Sequence, residues 1–288
     1  MLLLATSCVC AGDTGAFRKH LNGALHIVHQ GDGTSHGEDA LWWLSLKWLV
    51  QLYLMNRLSG SLTTPQEGNW SFNWDQPFAS MLEFGNIDAI TGLSRDLITT
   101  LEDVCELSDP NHAQNNAKHS QARTRHLNQD QGHKARQVCA RSLEARLLKI
   151  EDAATSSPHD SMLQTELECC HSMYIHATLL CLYRRVDQLP KSHPKVQLEV
   201  EYMIHTVQKI DKYSRTNIQL LWPLLTAGCE AATDAQRSVF VDRMTAMSAH
   251  GHGSYRTVLS FMREYWETGG EVRWDVFSRK IGLDLVLF

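Results

Sequence analysis

Apolar residues recur along this chain at intervals of three and four, and almost nowhere at intervals of two. Phe17, Leu21, Ala24 and Val28 lie on one face of a helix, and Leu93, Leu97, Leu101 and Val104 repeat the pattern. Leu163, Leu167, Cys170, Tyr174, Ala177 and Cys181 predict a long helix that Pro190 ends. Pro194 then opens another, carried by Val196, Val200, Met203, Val207 and Ile210. Two more follow on Val239, Arg243, Met244 and Met247, and on Tyr255, Val258, Leu259, Met262 and Trp266. Only Val286–Phe288 reads as a short strand. The class expected is all-α. With 288 residues and 43% hydrophobic content, the chain can bury a full core.

The stretch Trp222–Ala231 (WPLLTAGCEA) is the most telling single segment. Proline in the first turn fixes φ without removing a needed N–H, so Pro223 marks a helix start. Leu224, Leu225, Ala227 and Ala231 follow, and the small Ala227-Gly228 pair leaves room for a second helix to approach closely. A buried central helix is predicted there.

Two polar insertions interrupt the helices. Ser59–Phe78 is rich in Gly, Ser, Thr, Asn and Pro, with Trp70, Phe72 and Trp74 alternating, and reads as a loop that pins its aromatics onto the helices. Asp109–Gln137 holds Leu127 as its only large apolar residue. A segment so poor in apolar surface is expected to be a disordered insert. It parts the chain into lobes without making two domains, so residues 1–288 are expected to form a single helical domain.

Charge and cysteine usage narrow the function. A net charge of −5 argues against a surface that coats nucleic acid. The eight cysteines, Cys169-Cys170 among them, fall mainly within apolar helical patterns and read as buried free thiols of a reducing compartment. Met1–Ala11 lacks the basic n-region of a signal peptide and reads as a first core helix. Ala40–Met55 carries Lys47 and Gln51 and falls short of the ~20 residues that cross a bilayer, so a buried helix is expected and no membrane.

Four constellations could carry chemistry. His112, His119, His126 and His133 recur every seven residues, which on a helix drifts only ~20° per step. Rings two turns apart cannot share one metal ion, so solvated histidines are the reading. Glu168 and His171 have the E-x-x-H spacing of di-iron helical bundles, but the next helix offers Glu201 and His205 four apart. Gly31–Gly37 has the glycines of a phosphate loop, yet it follows a helix and lacks the Lys-Ser/Thr pair. His250-Gly251-His252-Gly253 reads as a helix-ending turn. No H-E-x-x-H occurs, and no residue is singled out as catalytic, cofactor-binding, metal-binding or DNA-binding.

Five segments in order carry a resemblance. They are His20–Val28 (HLNGALHIV), Phe84–Leu107 with Thr91-Gly92-Leu93, Tyr174–Tyr183 (YIHATLLCLY), Trp222–Ala231, and the end from Tyr265-Trp266 through Arg273–Phe277 to Phe288. Together the chain resembles the regulatory, middle-homology domain of fungal binuclear zinc cluster transcription factors. It departs from them in the cysteines: a binuclear cluster needs six closely spaced thiolates beside basic residues, and no C-x-x-C occurs here.

The resemblance implies an all-α, multi-helix regulatory domain with long polar loop insertions, located in the nucleus. It implies a transcription regulator, not an enzyme, with control of a metabolic gene cluster as one such role. Its partners would be proteins, a homo- or heterodimer among them, or a small-molecule effector, without direct sequence-specific DNA binding by this chain and without a cofactor. Two alternatives stand beside this reading. One is an all-α metal-dependent enzyme using Glu168, His171, Glu201 and His205; the other is a truncated product of a zinc cluster transcription factor gene.

Overall fold

The computed structural model describes residues 1–10, 13–30, 40–59, 86–89, 91–108, 127–153, 155–156, 161–249, 253–285 and 287. Among these, eleven α-helices form an all-α architecture. They are α1 (Leu2–Cys10), α2 (Thr14–Gln30), α3 (Ala40–Leu58), α4 (Arg95–Ser108), α5 (Leu127–Ala153), α6 (Ser161–Cys181), α7 (Pro194–Val207), α8 (Leu221–Glu230), α9 (Asp234–Ala249), α10 (Gly253–Glu267) and α11 (Trp274–Lys280). A π-helical turn, Leu182–Val186, prolongs α6, and a 3-10 helix, Arg215–Leu220, runs into α8. Two dipeptide strands, β1 (Asn86–Ile87) and β2 (Thr155–Ser156), pair in parallel. The sequence did not foretell that pair. Val286 and Phe288 of the expected tail strand lie outside the described residues.

The segment Trp222–Ala231 is the buried centre that its composition predicts. Every residue of α8 is buried, and α8 packs against α6, α7, α10 and α9. Pro223 sits in its first turn, where backbone N–H groups lack intrahelical partners in any case. At Gly228 an added Cβ would collide with the Met262 methyl of α10 and approach Phe240 Cγ of α9 at 3.3 Å. Side chains of two helices thus fill the space a larger residue would take. Trp266 Nε1 donates to the Gly228 carbonyl at 2.9 Å, capping the C-terminal end of α8.

The other family-like segments are tied into the fold by contacts of their own. Tyr174 of α6 stacks on Trp222 at 5.5 Å and donates to the Gln219 carbonyl at 2.7 Å. Gly92 turns the chain with φ +67°, and an added Cβ there would meet Cys170 Sγ at 2.9 Å. Asp88 holds the same turn by accepting from the Thr91 N–H at 2.9 Å. At the far end Arg18 of α2 pairs with Asp284, its Nε donating at 3.1 Å, and reaches Asn56 of α3.

One expectation is corrected in part. Asp109–Gln137 was expected to lack order, yet α5 begins at Leu127. Ala140, Leu143, Leu147 and Ile150 form a buried face downstream, and helix propagates backward from such an anchored stretch. Arg136 donates to the Leu107 carbonyl of α4 at 2.6 Å, tying this end down. Residues 109–126, with His112, His119 and His126, lie outside the described residues, as does the side chain of His133. So do residues 60–85, which hold most of the first insertion, and residues 31–39 and 250–252. No helix among the described residues is long and apolar enough to cross a membrane.

Candidate functional site

Glu168, His171, Glu201 and His205 do not assemble into a metal centre. Glu168 is exposed and accepts from Gln164 Nε2 at 3.2 Å. His171 is buried against Ser94 Oγ at 2.9 Å, and burial lowers its pKa to about 4. Glu201 accepts from Gln236 Nε2 at 2.7 Å, and His205 is exposed. Among the described residues, no group of three His, Cys, Asp or Glu side chains could hold a metal ion. Within residues 31–37, Gly33-Thr34-Ser35-His36-Gly37 also has G-x-S-x-G spacing. It joins helix α2 to helix α3, whereas a nucleophile elbow needs a strand-to-helix turn.

The structure instead builds two ionic centres from residues the sequence did not single out. The first is a clamp across three helices. His176 of α6 lies between Glu151 of α5 and Glu199 of α7, its Nδ1 facing Glu199 and its Nε2 at 2.9 Å from Glu151 Oε1. Tyr202 stacks on the imidazole at 3.7 Å, and the Ser172 and Tyr202 hydroxyls donate to Glu151 at 2.8 and 2.9 Å. Burial alone would push the His176 pKa down, but the two carboxylates override it and raise it to about 9. Burial likewise opposes ionisation of Glu151, yet hydrogen bonds from His176, Ser172 and Tyr202 bring it to about 2. A doubly paired imidazolium therefore joins α5, α6 and α7. Both ring nitrogens are engaged by carboxylates, so neither is free to accept a proton as a base.

The second centre surrounds the π turn. Arg184, buried, and its neighbour Arg185, half-buried, reach opposite carboxylates: Arg184 Nε lies 2.9 Å from Glu230 Oε1 of α8, and Arg185 Nε 3.8 Å from Asp275 Oδ2 of α11. Arg185 also lies over the Trp274 ring at 5.3 Å. Burial raises the Glu230 pKa despite Arg184, whereas Arg185, Arg273 and Arg279 outweigh burial at Asp275 and hold its carboxyl down. A cavity of ≈ 10 Å³ remains between these groups. π turns are rare and recur at functional positions.

On the outside, α9 and α10 frame an open groove of ≈ 530 Å³. Its lining includes Trp266, with Arg237 over the indole at 5.4 Å, and the carboxylates of Asp234 and Asp242. Leu3, Leu4, Leu41 and Leu44 of α1 and α3 are exposed as well, Leu3 to 75% and Leu41 to 72%.

Compared with known proteins, the chain matches the model of the family described as fungal specific transcription factor domain over residues 1–288. No curated protein and no solved structure matches it.

Proposed function

Because the chain belongs to the fungal specific transcription factor domain family, we propose that it regulates transcription in the nucleus as one helical regulatory domain acting through partner proteins or a small-molecule effector. The observation that carries this reading is the family match along the whole 288 residues. Two surfaces supply places for such contacts. The α9–α10 groove falls in the size range of small-ligand sites, and the exposed leucines of α1 and α3 suit a protein partner or a second copy. Binding at either surface would act by favouring one arrangement of the helices over another. A metabolic gene cluster is the kind of target the reading admits.

DNA reading is not assigned to this chain. It lacks the closely spaced cysteines of a zinc cluster, and its net charge is −5. The test is to tether the chain to an unrelated DNA-binding module upstream of a reporter in fungal cells. Reporter output should change relative to the module alone; a folded, nuclear fusion that leaves output unchanged would count against regulation. In parallel, the purified chain should show no sequence-dependent binding to genomic fragments at physiological salt.

A further inference from the structure

We infer that the cavity between the π turn and α8 is a binding site for a single water molecule, held by Arg184, Thr226 and Glu230. All three residues line the cavity, and they are 7%, 2% and 1% exposed. Each keeps a polar atom without a hydrogen-bond partner: Arg184 Nη2, Thr226 Oγ1 and Glu230 Oε2, with Arg184 Nε lacking one as well. The remaining polar atoms of the arginine are engaged elsewhere. Nη1 donates to the Leu189 carbonyl, and Nε faces Glu230 Oε1 at 2.9 Å as an ion pair that lacks hydrogen-bond geometry. Three orphaned groups around one hole are improbable by chance, because buried polar groups in folded proteins nearly always have partners.

Size and chemistry together name the occupant. The volume of ≈ 10 Å³ matches the space one water needs, and a site qualifies only if polar partners surround it. The occupant must accept from Arg184 Nη2 and donate to Glu230 Oε2, while Thr226 can do either. Chloride cannot donate and would face the Glu230 carboxylate. An ammonium or alkali cation cannot accept and would face Arg184. Water meets both demands. With it in place, Arg184 Nη2, Thr226 Oγ1 and Glu230 Oε2 each have a partner, and the π turn and α8 share a polar joint.

A crystal structure of the whole chain, at a resolution that shows ordered solvent, tests the inference. The expected result is a density peak within hydrogen-bonding distance of Arg184 Nη2, Glu230 Oε2 and Thr226 Oγ1. An empty cavity, or Arg184 closed onto both Glu230 oxygens with the space gone, overturns it. A halide peak, identified by its anomalous signal after a bromide soak, also overturns it. The near-isosteric Thr226→Val variant removes one partner and should lose or weaken the peak with the surrounding helices unmoved. A peak of undiminished occupancy in that variant would overturn the assignment of Thr226 as a partner.

Discussion

The first three helices and the last six are held by different forces. Contacts of α1, α2 and α3 are mostly apolar, through Ala5, Phe17, Leu21, Leu49 and Leu52, with leucines left facing solvent and with Arg18 bonded to Asn56 and Asp284 and Lys47 paired with Asp88 as polar ties. From α6 to α11 the apolar core is threaded with buried polar bonds. Arg243 takes the Val207 and Ile210 carbonyls at 2.7 and 2.9 Å and Asn217 Oδ1 at 2.9 Å. Lys191 takes the Cys229 carbonyl at 3.0 Å, and Trp266 the Gly228 carbonyl. Apolar contact is non-directional and tolerates small slides, whereas a satisfied buried polar network fixes one arrangement. The contrast teaches where a regulatory movement is cheapest: in the first three helices, against a body that keeps its shape.

The hardest blow to the body should be His176→Ala. It leaves the buried Glu199 and the half-buried Glu151 without their shared cation, and breaking a buried ion pair costs about 3–5 kcal/mol. Urea unfolding should show that loss as a lower midpoint; a change below about 1 kcal/mol would show the clamp to be incidental.

The same centre sets a pH dependence with a definite sign. His176 has its pKa raised from 6.5 to about 9, so its contribution is complete below pH 6.5 and fades as pH rises toward 9. Glu151 has its pKa lowered from 4.5 to about 2, so its contribution holds above 4.5 and fades as pH falls toward 2. His171 works the other way, because burial lowers its pKa from 6.5 to about 4. The unfolded chain binds its proton first, and stability drops as pH falls from 6.5 to 4. The three groups together place the optimum near pH 6.5. His171→Gln should flatten the limb between pH 6.5 and 4.5, and thermal melts across that range would expose an unchanged slope.

Next in size is the contrast between two glycines. Gly228→Leu drives a side chain into Met262 and Phe240, and overpacking of this kind costs about 1–3 kcal/mol. Gly15→Ala in α2 meets only Asp13 Oδ1, at 3.6 Å, and should leave the melting temperature unchanged or slightly higher. Equal melting temperatures for the Gly228→Leu variant and the unaltered protein would remove α8 from the centre of the core.

The smallest effect is expected at Leu41, 72% exposed. Leu41→Ser should shift stability by no more than about 0.5 kcal/mol. If the exposed leucines are a docking surface, the substitution should weaken self-association or partner capture without moving the melt.

Much of this contrast was legible beforehand, and the rest could not have been. Periodicity located α2, α4, α6, α7, α9 and α10, because a core face repeats locally and needs no knowledge of its partner. The Pro223 and Gly228 signals found α8 for the same reason. The clamp was invisible because its members lie 23 and 25 residues apart on three helices, with nothing regular in their spacing. Arg184 and Arg185 looked like an ordinary charged helix end, and no residue pattern announced a π turn that buries the first and half-buries the second. Conversely, the E-x-x-H at Glu168 and His171 was conspicuous in sequence and fell apart in space, one residue facing solvent and the other the core. Helix α5 was missed: its start lacks an apolar face and was assigned to the insertion, and no helix was expected over the rest.

The bond between Arg18 and Asp284 spans 266 positions. It brings an early helix and the last described loop to the same patch, so the polypeptide is close to a closed ring. Joining residue 288 to residue 1 and opening the ring within a surface connection should therefore give a permuted chain with the same packing. Folding would change more than the fold. Loop-closure entropy rises with the length of chain enclosed, and permutation would turn this long-range contact into a more local one. A permutant that refolds faster while unfolding at an unchanged rate would locate the joining of the two ends in the folding barrier, and not in the native state's resistance to opening.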